Sequence, residues 1–406
     1  MSVLAEKLMI ESGADTATGA SDHQAIHEWG RQRLMQHGFP DLKTEEWKYT
    51  PLRVLEKRDF TDQVGVATGL PSWPIEGVVL HFEGGILSID PATLPEGVKL
   101  TPMPPEALQK KDYDQIYGQR EGAFAWLNLA QFQQAWHLEI TGEQTVIIAA
   151  TTSDAFDAQV HPRMVIDIAS NASLNLIEYQ RDLGQGLING TCEINVAEGA
   201  KVEHLICRQN AESVWIQRTD VDVAKDADYR VVAFDQGGRL TRHDLKVHVK
   251  GSGANGEIDG LVLLNGRQHV DWHTEIAHCV GQTNSREAFR FLADGSSVGV
   301  LNGRIHIHAD SDDSHSDLNT ANLLLSDDAR INIKPELEIY SEEVTASHGA
   351  TIGQLDDRSL FYMQSRGLSE AESLALLKYG FAAEPMMQIQ TPEIRDWVLG
   401  QLKEVL

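Results

Sequence analysis

The chain has 406 residues, a hydrophobic content of 42% and a formal net charge of −26. One compact core rarely grows to this length, so the sequence predicts either several domains or an elongated architecture. The acidic charge repels phosphate backbones and anionic lipids, and no apolar run reaches the roughly 18 residues of a membrane span. We therefore predict no nucleic-acid and no membrane partner, and the lack of a secretory signal pattern predicts a cytoplasmic location.

Residues 1–133 are predicted to form a mainly helical N-terminal region. Ile26 and Leu34 lie in a segment with helical spacing, and Pro40 is placed to end that helix. A second helical segment surrounds Trp126. The stretch between these segments is rich in proline and glycine, which favours short strands and irregular connections.

Residues 134–365 change to short segments in which β-branched and polar residues alternate, as is typical of strands. Turns recur with a period of about 27 residues, which fits the coil of a solenoid because each coil must stack on its neighbours to bury its apolar face. A jelly roll or a sandwich also has short strands, but neither requires equal steps. The turns taken as equivalent contain Ala172, Gly199, Ala227 and Gly253, and turns at Asp294 and Asp327 continue the pattern with wider spacing.

Residues 366–406 return to helical patterns. Ser369 and Glu372 have the spacing of a capping box, Gly380 is placed to end that helix, and Thr391 precedes a proline that begins a second helix. The two helices could cap the last coil or present an apolar groove to a partner, and the pattern does not separate these alternatives. The candidate docking residues are Leu374, Leu377, Phe381, Ile394, Trp397, Val398 and Leu402.

Metal chemistry is suggested by His306, His308 and Asp310. Residues two apart on a strand share a face, so imidazole and carboxylate ligands could lie together there, completed by a neighbouring coil. Such a site would belong to a metal-dependent β-helix or cupin-like enzyme. The alternative is that all three are outward-facing polar residues of a solenoid. A carbohydrate-active β-helix of the pectate-lyase type is another candidate. The sequence contains no serine-hydrolase elbow and no phosphate-binding loop.

Two stretches of the chain carry a resemblance to a known family. Within residues 334–367, S-H-G-A-T at Ser347 to Thr351 is followed at set distances by D-D, F-Y and S-R-G. Near the N-terminus, Lys43 to Thr50 read K-T-E-E-W-K-Y-T. Together these stretches closely resemble the SufD-type members of the SufB/SufD family, which belong to the SUF system of iron–sulfur cluster assembly.

This resemblance implies a right-handed parallel β-helix core between helical N-terminal and C-terminal regions. It also implies a non-catalytic scaffold that pairs with a SufB-like paralogue through the β-helix and holds a SufC-like ABC ATPase through its C-terminal helices. ATP hydrolysis would then belong to the partner. The resemblance implies no permanently bound cofactor, only iron or an iron–sulfur cluster shared transiently with SufB, and it leaves open a homodimer of the isolated chain.

The same resemblance assigns a functional role to one histidine. The family's histidine at the SufB–SufD interface lies in S-H-G-A-T and corresponds to His348, whose neutral imidazole could ligate iron or a nascent cluster. Some relatives have a cysteine two residues earlier, where this chain has Ala346. Ser326 to Asn332 also lack the cysteine that SufB carries in the comparable stretch. The chain therefore resembles the subunit without that thiolate.

Overall fold

The computed structural model describes residues 3–9, 23–60, 69–109, 112–153, 156–182, 184–210 and 212–406. The helices are α1 (Val3–Leu8), α2 (Gln24–His37), α3 (Arg53–Glu56), α4 (Pro105–Gln109), α5 (Tyr113–Tyr117), α6 (Ala123–Gln131), α7 (Asp357–Ser365), α8 (Glu370–Met386) and α9 (Pro392–Val405). The strands are β1 (Val78–Glu83), β2 (Ile86–Leu87), β3 (Val98–Pro102), β4 (Ala135–Ile140), β5 (Glu143–Thr152), β6 (Gln159–Val160), β7 (Arg163–Ile168), β8 (Ser173–Asp182), β9 (Leu187–Val196), β10 (Lys201–Asn210), β11 (Val214–Val223), β12 (Asp228–Asp235), β13 (Leu240–Val249), β14 (Asn255–Leu264), β15 (His269–His278), β16 (Asn284–Ala293), β17 (Val298–Ile307), β18 (Ser314–Leu324), β19 (Arg330–Ile339) and β20 (Val344–Gly353).

The strands form two long sheets that the chain visits alternately. The first sheet has the order β2-β1-β5-β8-β10-β12-β14-β16-β18-β20, and the second has the order β19-β17-β15-β13-β11-β9-β7-β4-β3, with β6 beside β9. From β4 onward the pairings within each sheet are parallel. This arrangement is a β-solenoid of about seven coils. The predicted mainly β solenoid core with flanking helices is confirmed.

Alternation along each strand separates the interior of the solenoid from its outer surface. In β12, Tyr229, Val231 and Ala233 belong to the main apolar core between the two sheets. Their neighbours Val232 and Phe234 belong to a second buried cluster on the outer face of the first sheet. Because both faces of these strands are covered, they read as almost continuous apolar runs.

The predicted period matches the early coils but assigns the late ones wrongly. Hydrogen bonds stack one corner of the solenoid through Gly199, Asp226 and Gly253, each joined to the turn of the next coil. Asp294 and Asp327 instead lie at the opposite corner, where β16 leads to β17 and β18 leads to β19. The late coils are longer. The turns chosen from the sequence therefore belong to one corner in the early coils and to the opposite corner in the late coils.

The N-terminal helices pack on the outer face of the second sheet. Trp126 in α6 is fully buried in a cluster that also contains Val165, Ile216 and Leu240 from the strands beneath. The same region adds β1 to the first sheet and β3 to the second. The sheets therefore begin before residue 134, the boundary expected from the change in sequence pattern.

Helices α8 and α9 lie along the outer face of the first sheet and do not cap the last coil. The predicted capping box of Ser369 and Glu372 is present at the start of α8. Gly380 does not end this helix, which continues to Met386 because its last turns pack on the sheet. The carboxylate of Glu203 in β10 accepts hydrogen bonds from the backbone N–H and hydroxyl of Thr391, and so holds the start of α9 against the solenoid.

Candidate functional site at the open end of the solenoid

The solenoid ends in two strands whose outer edges have no partner in the described part of the chain. β20 is the last strand of the first sheet and β19 is the last of the second. We call these two strands and their flanking turns, residues 326–357, the open end. Ile331, Ile333 and Leu337 of β19 pack on the core but are only partly buried. An exposed strand edge with apolar neighbours is a surface suited to pairing with another chain.

His348 lies on β20 at the mouth of the solenoid interior. In the parallel register it stands beside Leu318, and Leu318 stands beside Glu287. Leu318 and Glu287 are both fully buried inside the solenoid, so His348 occupies the inward-facing position of the next coil. Since β20 is the last strand of the first sheet in the described ranges, the imidazole of His348 is exposed. The structure therefore places this predicted residue where a partner at the open end would meet it.

A buried carboxyl group lies two strands beneath His348. Thr274 donates its hydroxyl to Glu287 Oε1 at 2.6 Å, while Oε2 has no hydrogen-bond partner among the described residues. Burial raises the pKa of Glu287 to about 8. A Cβ added to Gly303 would lie 2.9 Å from Glu287 Oε1, so the absence of a side chain at this position makes room for the carboxyl group. This group is expected to be protonated at neutral pH.

A chain of hydroxyl groups leads from a buried histidine to the strand beneath Ala346. His278 Nε2 lies 2.8 Å from the hydroxyl of Ser285, which lies 2.7 Å from the hydroxyl of Ser316. Ser316 pairs in register with Ala346. Burial lowers the pKa of His278 to about 4, so its imidazole is neutral and can accept a hydrogen bond. The floor of the open end is thus polar on one side.

Neither Glu287 nor this hydroxyl chain was found from the sequence. Their positions depend on register between coils, and the repeat assignment failed in the late coils that contain them. An alternating strand pattern also predicts only which residues share a face, without showing which face of β16 or β18 points inward. Had the corner after His278 been recognised, Ser285 and Ser316 would have fallen at equivalent positions.

Comparisons with known proteins identify the family. The family model described as the SufBD core domain of SUF-system iron–sulfur cluster assembly matches residues 148–381, more than half of the chain. The chain belongs to the SufBD family. It is 26% identical to the iron–sulfur cluster assembly protein SufD of Escherichia coli, over 92% of this chain and 91% of that protein. An iron–sulfur cluster assembly SufBD family protein of Synechocystis is 27% identical over 100% of this chain and 94% of its own length.

A third relative covers less of both chains. The iron–sulfur cluster assembly protein SufD of Plasmodium falciparum is 25% identical over 59% of this SufBD chain and 17% of its own length. The SufBD core match spans the solenoid from β5 into α8, so it covers the open end and His348.

The N-terminal motif of this SufBD chain has a structural role. Trp47 is buried, and its ring lies 3.9 Å from the guanidinium carbon of Arg242 on the second sheet. Its indole N–H donates to the backbone oxygen of Glu121 at 3.2 Å. The hydroxyl of Thr50 donates to the buried carboxylate of Asp271. The motif from Lys43 to Thr50 therefore fastens the N-terminal region to the solenoid.

The three residues proposed for a metal enzyme do not form a ligand cluster. The rings of His306 and His308 stack with centroids 4.2 Å apart, which agrees with their predicted position on one face. His306 Nδ1 lies 3.7 Å from Glu338 Oε2, whereas Asp310 lies in the following turn with a φ of 62°. Across the described ranges, no group of three or more histidine, cysteine, aspartate or glutamate side chains is arranged to hold a metal ion. The geometry gives the enzyme alternative no support.

Three of the predicted docking residues are in the wrong place for that role. Ile394, Val398 and Leu402 of α9 are fully buried against the outer face of the first sheet, so they cannot contact a partner in this arrangement. The amphipathic pattern was read correctly, but the solenoid itself covers the apolar face. The other predicted docking residues are partly buried and stay predictions: Leu374, Leu377, Phe381 and Trp397.

Exposed apolar side chains occur on the two preceding helices, α7 and α8. Phe361 and Tyr362 in α7 are 73% and 58% exposed, and Leu376 in α8 is 50% exposed. α7 buries none of its residues and packs mainly on α8. Large aromatic side chains grouped on an exposed helix mark a protein-interaction surface. None of the described helices is long and apolar enough to cross a membrane.

Proposed function

We propose that the chain is a non-catalytic, SufD-type scaffold subunit of a cytoplasmic SUF complex. The observation that carries this proposal is the position of His348 on an unpaired edge strand, at the mouth of a solenoid that matches the SufBD core. A SufB-like paralogue would pair with the open end and place its own ligands opposite His348. Iron or a nascent iron–sulfur cluster is the cargo of this shared site and is held there transiently.

The chemistry of the proposed site supports a shared cargo. A single exposed imidazole is a suitable ligand for iron but cannot retain it, since stable sites use several ligands. Ala346 supplies no ligand, so thiolates would have to come from the partner. The buried hydroxyl of Ser316 and the buried carboxyl group of Glu287 lie beneath the open end, where they make the surroundings of a bound cluster more polar without binding it.

β20 is the edge suited to strand pairing. Pro335 lies within β19 and has no N–H to donate, whereas every residue of β20 has one. β20 also contains Gly349 and Ala350, small residues that let a second backbone approach closely. We expect the partner solenoid to continue the first sheet across β20.

A SufC-like ATPase is proposed to dock on α7 and the exposed face of α8. Phe361, Tyr362 and Leu376 provide the apolar contact, and the buried residues of α9 anchor the helices to the first sheet. Nucleotide-driven movement of the ATPase would pull on α8, whose Glu384 pairs with Arg290 on β16. β16 also carries Ser285 and Glu287, so α8 has a direct connection to the floor of the open end.

Purification of the chain from its native cells is expected to yield a paralogous solenoid protein and an ATPase at fixed stoichiometry. The double variant Phe361→Glu and Tyr362→Glu should lose the ATPase and keep the paralogue, because charges replace the exposed apolar contact. Met387→Glu, at a position beyond the end of α8 that is 54% exposed, is the control and should keep both. Size-exclusion chromatography with mass spectrometry measures the composition. Recovery of neither protein with the unchanged chain would contradict the scaffold function.

Replacement of His348 with alanine is expected to reduce the cluster assembled on the intact complex by at least about tenfold, as for loss of other metal-site ligands and their supports. The substitution removes an exposed side chain, so complex formation and stability should stay the same. Visible absorbance and iron content measure the cluster. His315→Ala is the matched control, since His315 is an exposed histidine on the neighbouring strand β18. A normal cluster yield in the His348→Ala complex would exclude the ligand role.

A further inference from the structure

A cavity lies between the two sheets in the first coils of the solenoid, far from the open end. Its volume is about 90 Å³. Ile148 and Ala150 line it from the first sheet, and Trp136 and Met164 line it from the second. Since a water molecule occupies about 30 Å³ in the liquid, the cavity has room for roughly three waters or one ligand of four or five non-hydrogen atoms.

The cavity is accessible from solvent. Ile148 and Ala150 of β5 occupy inward-facing positions, since their neighbours Ile147 and Ala149 pack on the outer face of the first sheet. Ala233 stands at the position of Ile148 three coils further along, and it is fully buried. Ile148 and Ala150 are only partly buried. A small molecule can therefore reach this part of the interior.

Polar side chains form one side of the cavity, whereas most of the lining is apolar. Glu178 of β8 and Gln217 of β11 both line it, and Gln217 Nε2 donates to Glu178 Oε2 at 3.3 Å. Gln180 donates to Gln217 Oε1 at 2.8 Å and accepts from Arg208 Nε at 2.7 Å. These bonds fix the carboxyl and amide groups in place. An apolar pocket with a few fixed polar groups is typical of sites for small molecules.

Burial favours the uncharged form of Glu178, because it raises the pKa of the carboxyl group. His204 lies behind Glu178, with Nε2 3.8 Å from Glu178 Oε2. Burial also lowers the pKa of His204 to about 3, so this imidazole is neutral and offers no positive charge to the carboxyl group. The polar side of the cavity is therefore uncharged.

Two buried arginines near the cavity do not supply a charge for a ligand. Arg208 Nη1 pairs with Asp235 Oδ2 at 2.8 Å. Arg163 contributes to the lining, but its guanidinium lies on the outer side of the second sheet, where it donates to Asn128 and Tyr117. A charged ligand would therefore lose its hydration without gaining an ion partner, and such a loss is costly.

We propose that this cavity is a binding site for a small uncharged molecule with a compact apolar body and one hydroxyl group. The apolar body packs between Ile148, Trp136 and Met164. The hydroxyl group forms hydrogen bonds with Glu178 and Gln217. The site is separate from the open end, so it does not depend on the proposed scaffold function.

The first test uses the full-length chain labelled with ¹³C at its methionine methyl groups. Isobutanol is the probe, and isobutylammonium is its charged counterpart of the same size. The Met164 resonance should shift saturably with isobutanol, with a dissociation constant on the order of 1 mM. The resonance of Met387, which is 54% exposed, should not shift. Isobutylammonium should bind at least about tenfold more weakly than isobutanol.

Two outcomes of this titration would overturn the proposal. A Met164 resonance that does not shift with isobutanol means that the cavity holds water only. Equal affinity for isobutanol and isobutylammonium means that the cavity does not select an uncharged ligand.

The second test fills the cavity. A Cβ added at Gly190 would lie 3.6 Å from Pro162 and 3.8 Å from Gln217, so Gly190→Val fits and occupies part of the space. This variant should bind isobutanol at least about tenfold more weakly and keep its midpoint of urea unfolding. Ala150→Val fills the cavity from the opposite wall and replaces Gly190→Val if that variant does not fold. A folded variant that binds isobutanol normally places the probe elsewhere and overturns the proposal.

Glu178→Gln is the matched variant that leaves the space unchanged. Its amide is uncharged and polar, like the protonated carboxyl group, so isobutanol should bind within about threefold of its affinity for the unchanged chain. Loss of binding in this variant would mean that the site needs the charge of a carboxylate, which overturns the selection of an uncharged ligand.

Discussion

Replacement of Asp235 with asparagine is expected to lower the free energy of unfolding by about 3 to 5 kcal/mol. Asp235 and Arg208 are both fully buried inside the solenoid, and Arg208 Nη1 donates to Asp235 Oδ2 at 2.8 Å. Trp272 donates its indole N–H to the same oxygen at 3.1 Å, and Gly237 donates its backbone N–H to Oδ1 at 2.9 Å. Asparagine has one acceptor oxygen, so either orientation of its amide leaves a buried donor unpaired. Equilibrium urea unfolding followed by circular dichroism measures the loss.

Two further variants separate the unpaired charge from other causes. Arg208→Met in the Asp235→Asn background should recover part of the lost stability, because it removes the uncompensated buried cation. Asp228→Asn, at the exposed start of the same strand, should change the free energy of unfolding by less than about 0.5 kcal/mol. If the double variant were less stable than Asp235→Asn alone, the buried ion pair would not be the source of the effect.

The fold was predictable from the sequence, but the charged residues inside the solenoid were not. Period, alternation and turn residues were enough to predict a solenoid, because stacked coils repeat the same local chemistry. The pattern could not show that Arg208 and Asp235 point inward, because charged residues on a strand are ordinarily assigned to the solvent face. Their pairing depends on two strands in adjacent coils, β10 and β12, being in register.

For the candidate site, the sequence predicted His348 but misplaced some of the docking residues. His348 came from a motif that resembles a family signature, and the structure adds its place above Leu318 at the mouth of the interior. The docking prediction failed at Ile394, Val398 and Leu402 because an amphipathic helix reports only that it has an apolar face. Which surface covers that face is a tertiary property, and here the first sheet covers it.

The buried carboxyl group beneath the open end should make the stability of the protein depend on pH. Glu287 is fully buried, and burial raises its pKa from 4.5 to about 8. Between pH 4.5 and about 8, the carboxyl group of Glu287 is ionised in the unfolded chain and protonated in the folded chain. The folded state therefore binds more protons, and stability falls as pH rises from about 4.5 to 8 and then stays level. One pKa unit corresponds to about 1.4 kcal/mol, so this group contributes a loss on the order of 3 to 5 kcal/mol.

Replacement of Glu287 with glutamine is expected to remove this dependence, because the amide resembles the protonated carboxyl group in shape and never ionises. Relative to the unchanged protein, the free energy of unfolding of Glu287→Gln should rise by roughly 3 to 5 kcal/mol between pH 5 and pH 8. Urea unfolding at several pH values measures both proteins, and comparison at each pH cancels the contributions of other titrating groups. Glu393→Gln, an exposed position on α9, serves as the control and should follow the unchanged protein at every pH. Parallel pH profiles for Glu287→Gln and the unchanged protein would mean that Glu287 is ionised and solvated in the folded state.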